Sequence, residues 1–185
     1  MRQHQAIWAA DCALRRNPKG IFVELGTAKG YFMTTVLASF EYLGTDLNQT
    51  QVLLFDSFVP SATDNKNSQK NEYGKNIYYA ENVDQVKKTF SSYSNVEIHQ
   101  GLLPNTLNQT EIQPISFIHI DLNSPEIEIE CLKQLWGKIL PGGMILIDDY
   151  AYSGYGYTNN LFNNFAKEFN ASILTTAWGP GLIIK

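Results

Sequence analysis

Short runs of strand character recur along this chain and alternate with stretches of helical periodicity, a pattern that few architectures can absorb. Ile21 to Leu25 (IFVEL) and Gln51 to Asp56 (QVLLFD) are nearly continuous in apolar residues, as strands buried on both faces must be. Val96 to His99, Ile115 to Asp121 (ISFIHID) and Met144 to Asp148 supply three more, the last entered through a turn at Pro141-Gly142-Gly143. Helices are predicted over Tyr31 to Leu43, over Asn82 to Tyr93 and from Pro125 to Trp136, where proline holds its favoured place in a first turn. A helix over Asn160 to Phe169 precedes two β-rich runs, Ser172 to Ala177 and Leu182 to Lys185, joined as a hairpin by Gly179-Pro180-Gly181. Strands alternating with helices mean βαβ units and a mostly parallel sheet with right-handed crossovers, closed at one edge by the antiparallel hairpin.

The 185 residues fit one domain, with no internal repeat and no dividing linker. Residues 1–19 read as an amphipathic helix carrying Ile7, Ala10 and Leu14, without the apolar core and cleavage site of a signal peptide. No apolar run approaches the roughly 20 residues that cross a bilayer, so a cytoplasmic protein away from membranes is expected. A net charge of −4 and no basic stripe beyond Arg15-Arg16 and Lys87-Lys88 argue against a nucleic-acid partner, which is held largely through its phosphates. A small-molecule partner is expected instead. Cys12 and Cys131 fall in predicted helices and are expected reduced; no CxxC, HExxH or Cys/His cluster suggests structural zinc. Pro60 to Lys75 almost lacks apolar residues and is predicted to be a mobile surface loop.

In an open parallel sheet, ligands bind beyond the carboxyl ends of the strands. Here those ends are Glu24 to Gly30, Asp56-Ser57, Gln100-Gly101, Asp121-Leu122-Asn123 and Asp148-Asp149, and four of the five are acidic. The first loop is E-x-G-x-x-x-G, whose glycines permit a sharp turn and close approach to a ligand. Ala28 stands where the dinucleotide fingerprint would have its second glycine, and Glu24 would repel a pyrophosphate but tolerate an ammonium group. Asp56 can accept both hydroxyls of a ribose. An adenosine with an amino-acid tail fits this pair better than NAD does, and S-adenosylmethionine is such a molecule.

Glu24 to Gly30, Leu54-Phe55-Asp56-Ser57-Phe58, Ile118-His119-Ile120-Asp121 and Pro141-Gly142-Gly143 leading into Ile147-Asp148-Asp149-Tyr150 appear in that order. From about Gly20 to Tyr150 the chain resembles the macrocin O-methyltransferase family, metal-dependent enzymes that methylate sugar hydroxyls. The resemblance implies a doubly wound, Rossmann-like class I methyltransferase fold and two cofactors, S-adenosylmethionine and Mg²⁺. It implies cofactor contacts from Glu24, Gly26, Gly30 and Asp56, flanked by Thr27, Ser57 and Gly101, and a metal held by Asp121, Asp148 and Asp149. Hard divalent cations do prefer carboxylate oxygens.

The pattern departs from the family at Asn123, where relatives commonly carry a second carboxylate that can act as base. Asp121, Asn123 and His119 are the candidate catalytic positions. His119 shares strand parity with Asp121 and is read either as a base or as a core histidine. Tyr150, Tyr152, Tyr155 and Tyr157 either line an acceptor pocket or anchor a surface loop. The expected partner is a small molecule with an acceptor hydroxyl, and a homo-oligomer is compatible with the sequence. Alternatives are a catechol-type O-methyltransferase, whose fifth strand usually ends Asp-Asn, and a non-catalytic S-adenosylmethionine-binding module.

Overall fold

The computed structural model describes residues 2–47, 49–59 and 82–185. The predicted mobile loop Pro60 to Lys75 lies outside the described residues. The elements run α1 (Arg2–Arg16), β1 (Ile21–Leu25), α2 (Tyr31–Tyr42), β2 (Val52–Asp56), α3 (Val83–Thr89), β3 (Val96–Gln100) and α4 (Asn105–Asn108). They continue with β4 (Ile115–Ile120), α5 (Pro125–Leu135), a 3₁₀ turn (Trp136–Lys138), β5 (Ile139–Ile147), α6 (Gly156–Glu168), β6 (Ile173–Thr175) and β7 (Gly181–Ile184).

One seven-stranded sheet carries the order β3-β2-β1-β4-β5-β7-β6. Its first five strands are parallel, and β7 runs antiparallel between β5 and β6, so the hairpin does close one edge. Alternate residues of the strands feed two cores. Phe22, Leu54, Phe117 and Leu146 face α1 and α2, while Val23, Phe55, Ile118 and Ile147 face α5 and α6. This two-sided burial is why β1 and β4 are buried along their whole lengths. Among the described residues, no helix is long and apolar enough to cross a membrane.

Three local expectations shift. The buried stripe of α1 is Ala6, Ala9, Ala10 and Ala13, with Ile7 and Leu14 only partly covered. Small residues let the helix backbone settle close to its neighbours, which a search for large apolar residues does not register. The helix over Asn82 to Tyr93 is confined to Val83–Thr89: the Asn82 side chain caps its start by accepting from the Asp84 and Gln85 amides, and Phe90 ends it. Pro141-Gly142-Gly143 does not precede β5 but lies within it. The Gly142 amide donates to the Lys185 carbonyl at 2.6 Å and the Lys185 amide to the Gly143 carbonyl at 3.0 Å, so Lys185 ties this stretch into the sheet.

Candidate active site

Parallel pairing places the strand ends in a row, and backbone bonds continue the ladder past them. The Gly26 amide donates to the Phe55 carbonyl, Asp121 to Leu25, and Asp148 to Ile120, at 2.8–3.0 Å. Along this edge opens a cavity of about 960 Å³, within the usual size of a small-molecule site. Thr27, Asp56, Ser57, Gly101, His119, Asp121, Asn123, Asp148 and Asp149 all line it. Glu24 and Gly30 do not.

Gly26 adopts φ +93°, and a Cβ there would come within 1.8 Å of the Asp121 carbonyl oxygen. Its close approach is therefore to the end of β4, which sets the spacing between the first loop and the acidic rim. Gly30 similarly makes room for the Phe90 ring.

Asp56 is held from both sides. Its Oδ2 accepts from the Ala28 amide and its Oδ1 from the Phe58 amide, each at 2.7 Å. Ala28 (φ 47°) and Phe58 (φ 53°) are both in the left-handed region, which aims these amides at the carboxylate. Each carboxylate oxygen keeps a further lone pair for a ligand hydroxyl.

Glu24 behaves differently from the sequence expectation. It is fully buried and faces His119 across the β1–β4 ladder, where the two residues are register partners. Its Oε1 lies 3.1 Å from His119 Nδ1. Burial pushes the Glu24 carboxyl well above the usual carboxylate range; Thr27 nearby opposes the shift and the Asp56 charge adds to it. The Thr27 hydroxyl does not reach hydrogen-bond geometry, and both it and Glu24 Oε2 are buried without a hydrogen-bond partner. The His119 ring stacks flat on Phe32, centroids 3.4 Å apart and planes within 5°.

His119, Asp121 and Asp148 each bring one ligand-type atom within 4.8 Å of the others. Asp149 lines the same cavity but is outside this group. Asn123 lies past the end of β4, exposed and at φ 55°, so strand alternation does not extend to it. Tyr155 alone of the four tyrosines lines the cavity. Tyr150 is buried and donates to Asn163 on α6 at 2.8 Å, and Tyr157 donates to Glu126.

Sequence reasoning missed Glu128. This α5 residue is buried, and its Oε1 accepts from the Leu122 amide at 2.9 Å, pinning the loop that follows Asp121. Burial pushes its carboxyl up to about 7; the Leu122 amide opposes the shift and the charge of Asp149 adds to it. Its position four residues into the segment opened by Pro125 was the available signal. Leu102 and Leu103, apolar residues in the loop after β3, were also overlooked as cavity wall.

The family model described as macrocin-O-methyltransferase (TylF) matches residues 2–172. The chain belongs to this family. As a member it is a methyltransferase. Among solved structures, the O-methyltransferase NovP matches with a TM-score of 0.76 and 19% identity, covering 100% of this chain and 79% of NovP. CalS11, a TDP-rhamnose 3'-O-methyltransferase of calicheamicin biosynthesis, matches with a TM-score of 0.66 and 14% identity, over 98% of this chain and 79% of CalS11. An rRNA methylase from Streptococcus thermophilus matches at 0.60 and 13%, over 96% and 92%. These likenesses establish the class I methyltransferase fold, and their spread shows that the fold does not choose the acceptor. No curated protein sequence matches.

Proposed function

We propose that this macrocin O-methyltransferase family member transfers a methyl group from S-adenosylmethionine to a hydroxyl of a sugar or other polyhydroxylated small molecule, with a divalent cation such as Mg²⁺ at its acidic rim. The observation that carries the reading is the division of one cavity into two acidic ends: Asp56 fixed by backbone amides, and Asp121 and Asp148 gathered with His119.

The cavity suits S-adenosylmethionine. Asp56 offers free lone pairs to a ribose, Leu102 and Leu103 offer an apolar wall to a base, and the buried Thr27 hydroxyl lacks a partner in the protein. Glu24, which the sequence suggested would meet the ligand's ammonium group, instead acts from behind through His119. The cofactor would supply an electrophilic methyl group. Asp121 and Asp148, with Asp149 beside them, suit a divalent cation, a hard ion that prefers carboxylate oxygens. A bound cation would make the acceptor hydroxyl easier to deprotonate.

What the chain itself must do is orient the acceptor and exclude competing geometries. Asn123 can hydrogen-bond an acceptor hydroxyl but cannot take its proton. The proton therefore leaves to solvent or to His119 once the hydroxyl is acidified. A catechol-type acceptor is less favoured, since β5 leads into Asp148-Asp149. The TDP-rhamnose acceptor named for CalS11 points the same way, and the low basic charge sets the chain apart from an rRNA-directed role. Cytoplasmic localisation and a monomeric or homo-oligomeric state belong to the same proposal.

The test is transfer of labelled methyl from S-adenosylmethionine across free sugars, nucleotide sugars, glycosides and catechols, with Mg²⁺ and with chelator. Metal-dependent labelling of a sugar hydroxyl is expected. Labelling of catechols alone would move the chain to that class, and tight cofactor binding with no acceptor labelled would make it a binding module.

A further inference from the structure

The acidic rim contains a nitrogen donor that the aspartate pattern does not call for. His119 is 2% exposed and Asp148 4% exposed, and with Asp121 they converge within 4.8 Å. The orientation of the histidine is fixed twice. Glu24 Oε1 meets Nδ1 at 3.1 Å, and Phe32 covers one face of the ring. Glu24 Oε1 occupies the Nδ1 edge, so a cation would meet the ring at Nε2. A carboxyl group behind the far nitrogen is the usual means of orienting a metal-binding imidazole.

Charge leads to the same place. Glu24, Asp121 and Asp148 surround a single imidazole in a largely buried setting. A divalent cation between Asp121, Asp148 and the imidazole would use all three side chains. The Thr27 hydroxyl, buried beside Glu24 without a hydrogen-bond partner, belongs to a residue of the same cavity lining.

We propose that His119 is itself a ligand of the cation site, together with Asp121 and Asp148 and positioned by Glu24, so that this chain prefers an imidazole-seeking first-row ion such as Co²⁺, Fe²⁺ or Zn²⁺ over Mg²⁺. This rests on the reading of the rim as a cation site. Mg²⁺ demands oxygen ligands and sheds water reluctantly, while imidazole nitrogen favours the later first-row ions. His119 is then unavailable as a base, which leaves solvent to take the acceptor proton.

Calorimetry with Co²⁺ and Mg²⁺ on the full chain, paired with proton NMR of the Co²⁺-loaded protein, tests this without any turnover. Co²⁺ should bind at least about tenfold tighter than Mg²⁺. An exchangeable imidazole N–H should appear far outside the normal range, shifted by the paramagnetic ion. That signal should survive replacement of the other two histidines by His4→Gln and His99→Gln, a variant that leaves the site's own residues intact. His119→Gln should abolish the signal and bring Co²⁺ affinity close to that of Mg²⁺. Glu24→Gln should weaken Co²⁺ by about 10–100-fold, the usual cost of losing such a partner. Equal affinities with no shifted N–H would overturn the assignment of His119 while leaving an oxygen-only cation site. Binding of neither ion would remove the cation reading altogether, a distinct result.

Discussion

Asp56, at the end of β2, has each carboxylate oxygen on a backbone amide, whereas the acids that end β4 and β5 crowd against a histidine. Both regions occupy the same edge of the same sheet, and both read in the sequence as strand-terminal aspartates. At β2 the amides of Ala28 and Phe58 each hold one carboxylate oxygen, which leaves further lone pairs to accept from neutral hydroxyls. At β4 and β5 the carboxylates of Asp121 and Asp148 converge with His119 instead, an arrangement that suits a shared cation. On the proposed reading, what separates a ribose-binding carboxylate from a cation-binding one is the company supplied by neighbouring loops.

If this division holds, the two ends should fail differently. The largest effect is expected from Asp148→Asn, which should reduce methyl transfer by about 10²–10³-fold, the several kcal/mol that metal assistance commonly supplies. S-adenosylmethionine affinity in that variant should stay within about threefold of the parent. A matched loss of cofactor affinity would show that the two ends are one site. Asp56→Ala should do the reverse, weakening S-adenosylmethionine by about 10–100-fold through loss of charged hydrogen bonds while divalent-ion affinity is unchanged. Calorimetry on the folded variant reads both quantities.

Asn123→Asp sharpens the comparison by adding a carboxylate beside the β4 end. The left-handed conformation at 123 suits aspartate as well as asparagine, so the variant introduces no backbone strain. General-base help is worth about 10²–10⁴-fold at its best, and a gain of at least about tenfold in transfer at neutral pH is expected with cofactor affinity unchanged. A rate no higher than the parent's would make Asn123 an acceptor-orienting group instead.

The smallest effect concerns Glu128, whose carboxyl is raised from 4.5 to about 7 by burial. Between those values the unfolded chain has lost a proton that the native protein still holds. Stability therefore falls as pH rises from about 4.5 to about 7 and stays at its lower level above that. Glu128→Gln should remove this slope, leaving the variant more stable than the parent at pH 8 by on the order of 1–3 kcal/mol and little different near pH 4. Urea unfolding at the two pH values checks the sign.

The sheet was legible in the sequence because strands buried on both faces leave an unmistakable apolar run, and the row of strand-terminal acids followed from the parallel topology. Cavity-lining Thr27, Asp56, Ser57 and Gly101 were named at those strand ends and by the family resemblance. Contacts that depend on register or on distant chain were not legible. The Glu24–His119 pair exists because β1 and β4 align those two residues side by side, which no local pattern records. The start of β5 depends on Lys185 pairing with Gly142 and Gly143, and the burial of α1 depends on alanines whose small size matters only against a neighbouring surface. Glu128 looked like an ordinary acidic residue in a first helical turn until folding brought the Leu122 amide onto it.

One experiment addresses the division of labour directly: labelled S-adenosylmethionine is titrated into chelator-treated protein, and methyl transfer to a confirmed acceptor is measured in the same sample before and after a divalent ion is restored. Cofactor affinity within about threefold of the metal-loaded value, no transfer until the ion returns, and full transfer afterwards is the predicted result. Transfer that proceeds in the chelator, or cofactor binding that collapses with the metal, would contradict it.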